Sequence, residues 1–88
     1  MKPKIRYKSA KYNQFKINAT AFLNDCWKDG FYTPSMNEIA KKLGKAPSIT
    51  MNYIHHMEDD GLVVIRRNRI YTSKNYEALV DLARTGRI

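Results

Sequence analysis

Apolar positions along the chain fall into four helical stripes and one strand pair. Phe15, Ala19, Phe22, Leu23 and Cys26 sit at i, i+4, i+7, i+8 and i+11, which predicts an amphipathic helix over 12–29. Gly30 ends it as a C-cap, and Phe31-Tyr32 makes a short extended step. Ser35 and Glu38 have the spacing of a capping box and open a second helix. Its inner face is Met36, Ile39, Ala40 and Leu43, its outer face carries Lys41 and Lys42, and Gly44 stops it. Pro47 suits a first helical position, so a third helix begins at Pro47 or Ser48. Thr50, Tyr53, Ile54 and Met57 form its inner stripe, and Ser48, Met51, Asn52 and His55 lie opposite. Gly61 ends this helix.

Leu62-Val63-Val64-Ile65 and Ile70-Tyr71-Thr72 read as two strands, with Arg66, Arg67, Asn68 and Arg69 between them. Asn68 accepts the positive φ of a tight hairpin turn. Ser73 or Asn75 then caps a last helix running to about Thr85, with Tyr76, Leu79, Val80 and Ala83 as its apolar stripe. The order is helix, short extended step, helix, tight turn, helix, hairpin, helix. Two short helices joined by a glycine-containing turn and followed by a hairpin predict a winged helix-turn-helix. The fold class is therefore mainly α with a small β-hairpin (α+β), extended by a C-terminal helix. Residues 1–11 read as a basic flexible arm and residues 12–88 as the folded domain.

Eighty-eight residues with 43% hydrophobic content suit one small core and leave no room for a second catalytic domain. Sixteen Lys and Arg against eight Asp and Glu give a net charge of +8, which by itself fits a nucleic acid, an anionic membrane surface, an acidic protein partner or plain solubility. The cations are clustered. Lys2, Lys4, Arg6, Lys8, Lys11 and Lys16 share a segment without acids, and so do Arg66, Arg67, Arg69 and Lys74. Cys26, the single cysteine, forms no internal disulfide, which favours a reducing cytoplasmic compartment. No apolar run reaches the ~18 residues of a membrane span, and no apolar region follows the basic start as a signal peptide requires.

Gly30-Phe31-Tyr32-Thr33-Pro34-Ser35-Met36-Asn37-Glu38-Ile39-Ala40 resembles the GYPPSxxEIA stretch of the DNA-binding domain of LexA repressors. The resemblance runs over residues 15–72. It continues through Leu43-Gly44, Ser48, the Ile54/Met57 pair and Asp60-Gly61-Leu62, with Phe22-Leu23 similar to the family's first helix. It implies a reading head on double-stranded DNA in a prokaryotic or phage-infected cell. The implied base-reading residues are Ser48, Met51 and Asn52, with Lys45 and Ala46 in the preceding turn. The family has acidic or polar side chains where Met51 and Asn52 stand, so its operator does not carry over. The family's self-cleaving domain, with its Ser/Lys pair, has no counterpart in these residues, and release by self-cleavage is not expected.

The chemistry agrees with a major-groove helix. Asn52 has the donor and acceptor to bridge adenine N6 and N7, and Met51 suits a thymine methyl. His55 extends the same face. Ser35, Lys41, Lys42, Arg66, Arg67, Arg69 and Lys74 are expected on the DNA backbone, with the three arginines at the hairpin tip on phosphates or a narrow minor groove. The arm, with Lys2, Lys4, Arg6, Lys8 and Lys11, fits a minor-groove arm. Tyr7 and Tyr12 are its candidate stacking rings. Glu58-Asp59-Asp60 oppose the macrodipole at a helix C-terminus, and either form ion pairs or keep that end away from phosphate. A small site predicts a homodimer on an inverted repeat, with Tyr76, Leu79, Val80 and Ala83 as possible dimer contacts. Adjacent His55 and His56 diverge by about 100° on a helix and do not chelate together, so no metal and no cofactor are expected. No nucleophile, phosphate loop or acid/base pair marks an enzyme. The first expectation is a sequence-specific DNA-binding regulator, a repressor. The alternatives are a small factor that grips a host transcription protein and a replication or partition DNA-binding domain.

Overall fold

The computed structural model describes residues 10–86. Its order is α1 (Ala10–Lys28), α2 (Met36–Leu43), α3 (Pro47–Asp59), β1 (Val63–Arg66), β2 (Arg69–Thr72) and α4 (Ser73–Arg84). The protein is mainly helical with one two-stranded antiparallel hairpin. No helix among the described residues is long and apolar enough to cross a membrane.

One core organises these elements. Tyr12, Phe15, Ala19 and Leu23 of α1 meet Ile39 of α2, Ile54 and Met57 of α3, and Val63 and Ile70 of the hairpin. Each fully buried large apolar side chain contributes about 1.5–3 kcal/mol. Phe22, Met36, Leu43, Tyr53 and Ile65 close the rim.

Backbone chemistry sets the helix ends. Ser35 and Glu38 form the reciprocal capping box expected at the start of α2. Gly44 and Gly61 take φ of 67° and 79°, a region where a side chain is strained. Past α2, the Lys45 N–H reaches the Ala40 carbonyl at 3.0 Å, and past α3 the Leu62 N–H reaches Met57 at 2.9 Å. Both are the six-to-one bonds of a Schellman ending. They turn the chain sharply, so α3 follows α2, and the hairpin follows α3, after only three residues each.

The hairpin pairs Val63 with Thr72, Val64 with Tyr71, Ile65 with Ile70 and Arg66 with Arg69. Arg67 and Asn68 alone form the turn, at φ of 50° and 62°, the positive-φ pair of an I′ hairpin. The Ile70 N–H also bonds the Pro34 carbonyl at 3.0 Å, tying the extended step before α2 to the edge of β2.

Three expectations change. α1 begins at Ala10, so Lys11 is its second residue and not part of an extended arm. Tyr12, one of the two candidate stacking rings, is buried, because at three residues before Phe15 it falls on the same apolar stripe. The cap of α4 is Thr72, whose side chain accepts from the Asn75 N–H at 3.1 Å, not Ser73 or Asn75. Lys2, Lys4, Arg6, Tyr7 and Lys8 lie outside the described residues.

Candidate nucleic-acid interface

The outer face of α3 is assembled by its first turn. Pro47 stands at the first helical position after Ala46, whose backbone is extended. Thr50 turns its hydroxyl inward to the Ala46 carbonyl at 3.0 Å and is buried. With Thr50, Ile54 and Met57 in the core, helical geometry leaves Ser48, Met51, Asn52 and His55 in water, and all four are exposed. Lys45 and Ala46 are exposed in the turn beside them. Ile49, absent from the predicted reading set, is exposed as well, because it lies at the margin of the buried stripe.

Two neighbouring histidines have opposite surroundings. His55 is exposed, with Nδ1 3.3 Å from Glu58 Oε1. His56 is buried edge-on against the Tyr12 ring, centroids 5.1 Å apart, with Nε2 4.0 Å from Asp60 Oδ2. The Tyr12 hydroxyl donates to the same Asp60 oxygen at 3.2 Å. Burial, reinforced by the Asp60 carboxylate, pushes the Tyr12 phenol well above its usual range. Periodicity missed this junction of α1 with the end of α3, because it joins residues 48 apart in sequence. Among the described residues no group of three or more His, Cys, Asp or Glu side chains is arranged to hold a metal ion. Burial also raises the Cys26 thiol.

The hairpin arginines divide in a way the sequence does not announce. Arg66 and Arg69 are opposed strand residues, not tip residues, and each is engaged within the fold. Arg66 Nε donates to the Tyr76 hydroxyl at 3.2 Å, and its guanidinium lies 5.4 Å from that ring's centroid. The Tyr76 bond raises the Arg66 pKa further. Arg69 Nη1 donates to the Thr33 carbonyl at 3.0 Å. Arg67 is exposed at the turn itself.

Between the hairpin and α2, the Tyr32 hydroxyl donates to Glu38, whose other oxygen accepts from the Ser35 N–H at 2.9 Å. The Tyr32 bond first, then the Ser35 N–H and the Arg69 charge, hold the Glu38 carboxyl below its usual range. The same bond raises the Tyr32 phenol. The Ser35 hydroxyl, expected on a phosphate, is the cap acceptor for the Glu38 N–H at 3.3 Å. Lys41 and Lys42 are exposed on α2, with Lys42 Nζ 5.8 Å from the Phe22 ring centroid. Lys74 is exposed in the first turn of α4.

α4 rests on both strands of the hairpin. Tyr76, Leu79 and Val80 are half-buried and Ala83 is exposed. Tyr76 meets the edge of Tyr71, whose ring faces Trp27, and Trp27 in turn meets Phe31 at 4.9 Å between centroids. Phe31 is 64% exposed and has a φ of 63°, unusual for an aromatic residue. No known protein family, curated protein or solved structure matches this chain.

Proposed function

We propose that this protein is a sequence-specific double-stranded DNA-binding transcription regulator, acting as a repressor through a winged helix-turn-helix. The observation that carries this reading is the outer face of α3. It presents Ser48, Met51 and Asn52 in its first two turns, all exposed, on a helix held by its neighbours through a buried opposite face. Short polar and unbranched side chains let the backbone approach the major groove and reach base edges. Exposed Lys41, Lys42 and Lys45, with Arg67 at the hairpin turn, supply phosphate contacts. The chain acts as a homodimer on an inverted repeat; of the four α4 residues expected at the contact, Tyr76 is engaged with Arg66 and Tyr71, which leaves Leu79, Val80 and Ala83. It has no catalytic role in this scheme.

Selection from a randomised duplex library at two salt concentrations tests the reading. An enriched inverted repeat, bound far more weakly at high salt, is the expected result. Salt-sensitive binding with no enriched motif reduces the role to non-specific association. No duplex binding at either salt rejects the proposal.

A second reading, a module that grips another protein, is favoured by Ile17 and Leu62. Both are exposed and line a largely apolar groove with Lys16, Thr20, Ala21 and Asn24. Charge-neutral Ile17→Ser discriminates. Loss of regulatory activity with duplex binding intact favours the second reading, and unchanged activity favours the first.

A further inference from the structure

We infer that α3 reads thymine 5-methyl groups, so that the half-site has an A·T core with no arginine-to-guanine contact from the helix. This inference rests on the DNA-binding reading above and gives it a base composition. The first support is what α3 lacks. Its thirteen residues, PSITMNYIHHMED, include neither Lys nor Arg. Guanine displays two acceptors in the major groove, O6 and N7, and the side chains that match both are Arg and Lys. The nearby cations stand on other elements: Lys41 and Lys42 on α2, Lys45 in the turn and Arg67 in the hairpin.

The second support is what α3 displays. Ile49 and Met51 are each 46% exposed, on either side of the ridge formed by Ser48 and Asn52. Two large apolar side chains thus stand in water in the first two turns of the helix. The apolar group on a major-groove base edge is the thymine C5-methyl. Asn52, between them, pairs with the N6 and N7 of adenine, the base opposite thymine.

The third support is the far end of the helix. Glu58, Asp59 and Asp60 are exposed there, and phosphates repel them. His55 is held toward that end by Glu58. Only the first two turns approach the groove, and the reading set contracts to Ser48, Ile49, Met51 and Asn52. Lys45 is left to contact a phosphate or one base pair at the edge of the half-site.

The test uses the full chain and the duplex enriched from the randomised library. Each thymine is replaced in turn by deoxyuridine, which removes the methyl and keeps the base pair. Burying one methyl-sized group predicts a loss of about fourfold in affinity at each thymine that α3 covers. Met51→Ala or Ile49→Ala is expected to abolish that loss at its own thymine. Both side chains are exposed, so the melting temperature of each variant should match the parent. An enriched motif with a G·C core overturns the inference. So does a deoxyuridine duplex that binds like its thymine parent at every position, and in either case the DNA-binding reading stands. Absence of binding to any duplex overturns both.

Discussion

Arg67 occupies a backbone conformation that suits Asn or Gly better than Arg. Its φ of 50° belongs to the first central position of an I′ turn, where Asn is favoured. A long cation in that place exposes a charge at the end of the hairpin, beyond the strand-held Arg66 and Arg69. Arg67→Asn therefore separates charge from conformation. The melting temperature should stay level or rise. Duplex affinity should fall, with the slope of log affinity against log salt about 0.9 shallower, as one phosphate contact is lost. A salt titration of both proteins checks this. Glu38 makes a second prediction. Its folded-state pKa lies below the ordinary value of about 4.3, so its stabilising effect is complete above that pH. It is lost as pH falls through the folded-state pKa. Glu38→Gln should lower the melting temperature at pH 7 and flatten its decline below pH ~4. Thermal melts from pH 2 to 7 measure both effects.

At the scale of elements, Thr72 joins the hairpin to α4. It ends β2 opposite Val63 and caps the following helix through its hydroxyl. Ser73 is used differently, its hydroxyl donating to the Gly61 carbonyl at 2.7 Å. Local preference made Ser73 or Asn75 the better cap. The choice was made by the strand, which extends through Thr72 and brings Leu62 beside Ser73. Thr72→Val keeps the β-branched shape that suits a strand and removes the acceptor. It should cost about 1 kcal/mol, or roughly 4–8 °C in melting temperature, measurable by calorimetry. Because α4 itself buries no residue fully, its first turns should lose amide-exchange protection before α3 does.

Over the whole molecule, exposed acids and bases are mixed on α1, α2 and α4, while α3 carries no Lys or Arg. α3 carries its acids at its C-terminal end, while exposed lysines stand on α2 and α4. α4 lies across the hairpin with half-buried Tyr76, Leu79 and Val80 and exposed Ala83. The proposed homodimer uses the side of α4 that the hairpin leaves in water, around Ala83. Ala83→Glu places a charge there without disturbing the core. A duplex with two half-sites should bind it at least tenfold more weakly, and a single half-site should bind equally. Paired binding titrations and sedimentation decide this, and an unchanged two-site affinity would exclude α4 from the dimer contact.

The sequence by itself determined the helices, the hairpin and most of the core. Those features depend on spacing along one element, as with Ile39 and Ala40 of α2 or Ile54 and Met57 of α3, and on end signals such as Ser35, Gly44 and Gly61. It also determined which face of α3 meets water, since a helix that buries Thr50, Ile54 and Met57 must expose Ser48 and Asn52. Tertiary structure alone decided how the cations are used. A run of Arg66, Arg67 and Arg69 looks uniform in one dimension. Pairing in register, with α4 across one face and the Thr33 step along the edge, gives Arg66 to Tyr76 and Arg69 to a carbonyl and leaves Arg67 at the turn. The Tyr12–Asp60–His56 junction has the same origin. His56 and Asp60 are four apart and meet by helical spacing alone, but Tyr12 joins them only once α1 packs on the end of α3, a contact across 48 residues that no local period encodes.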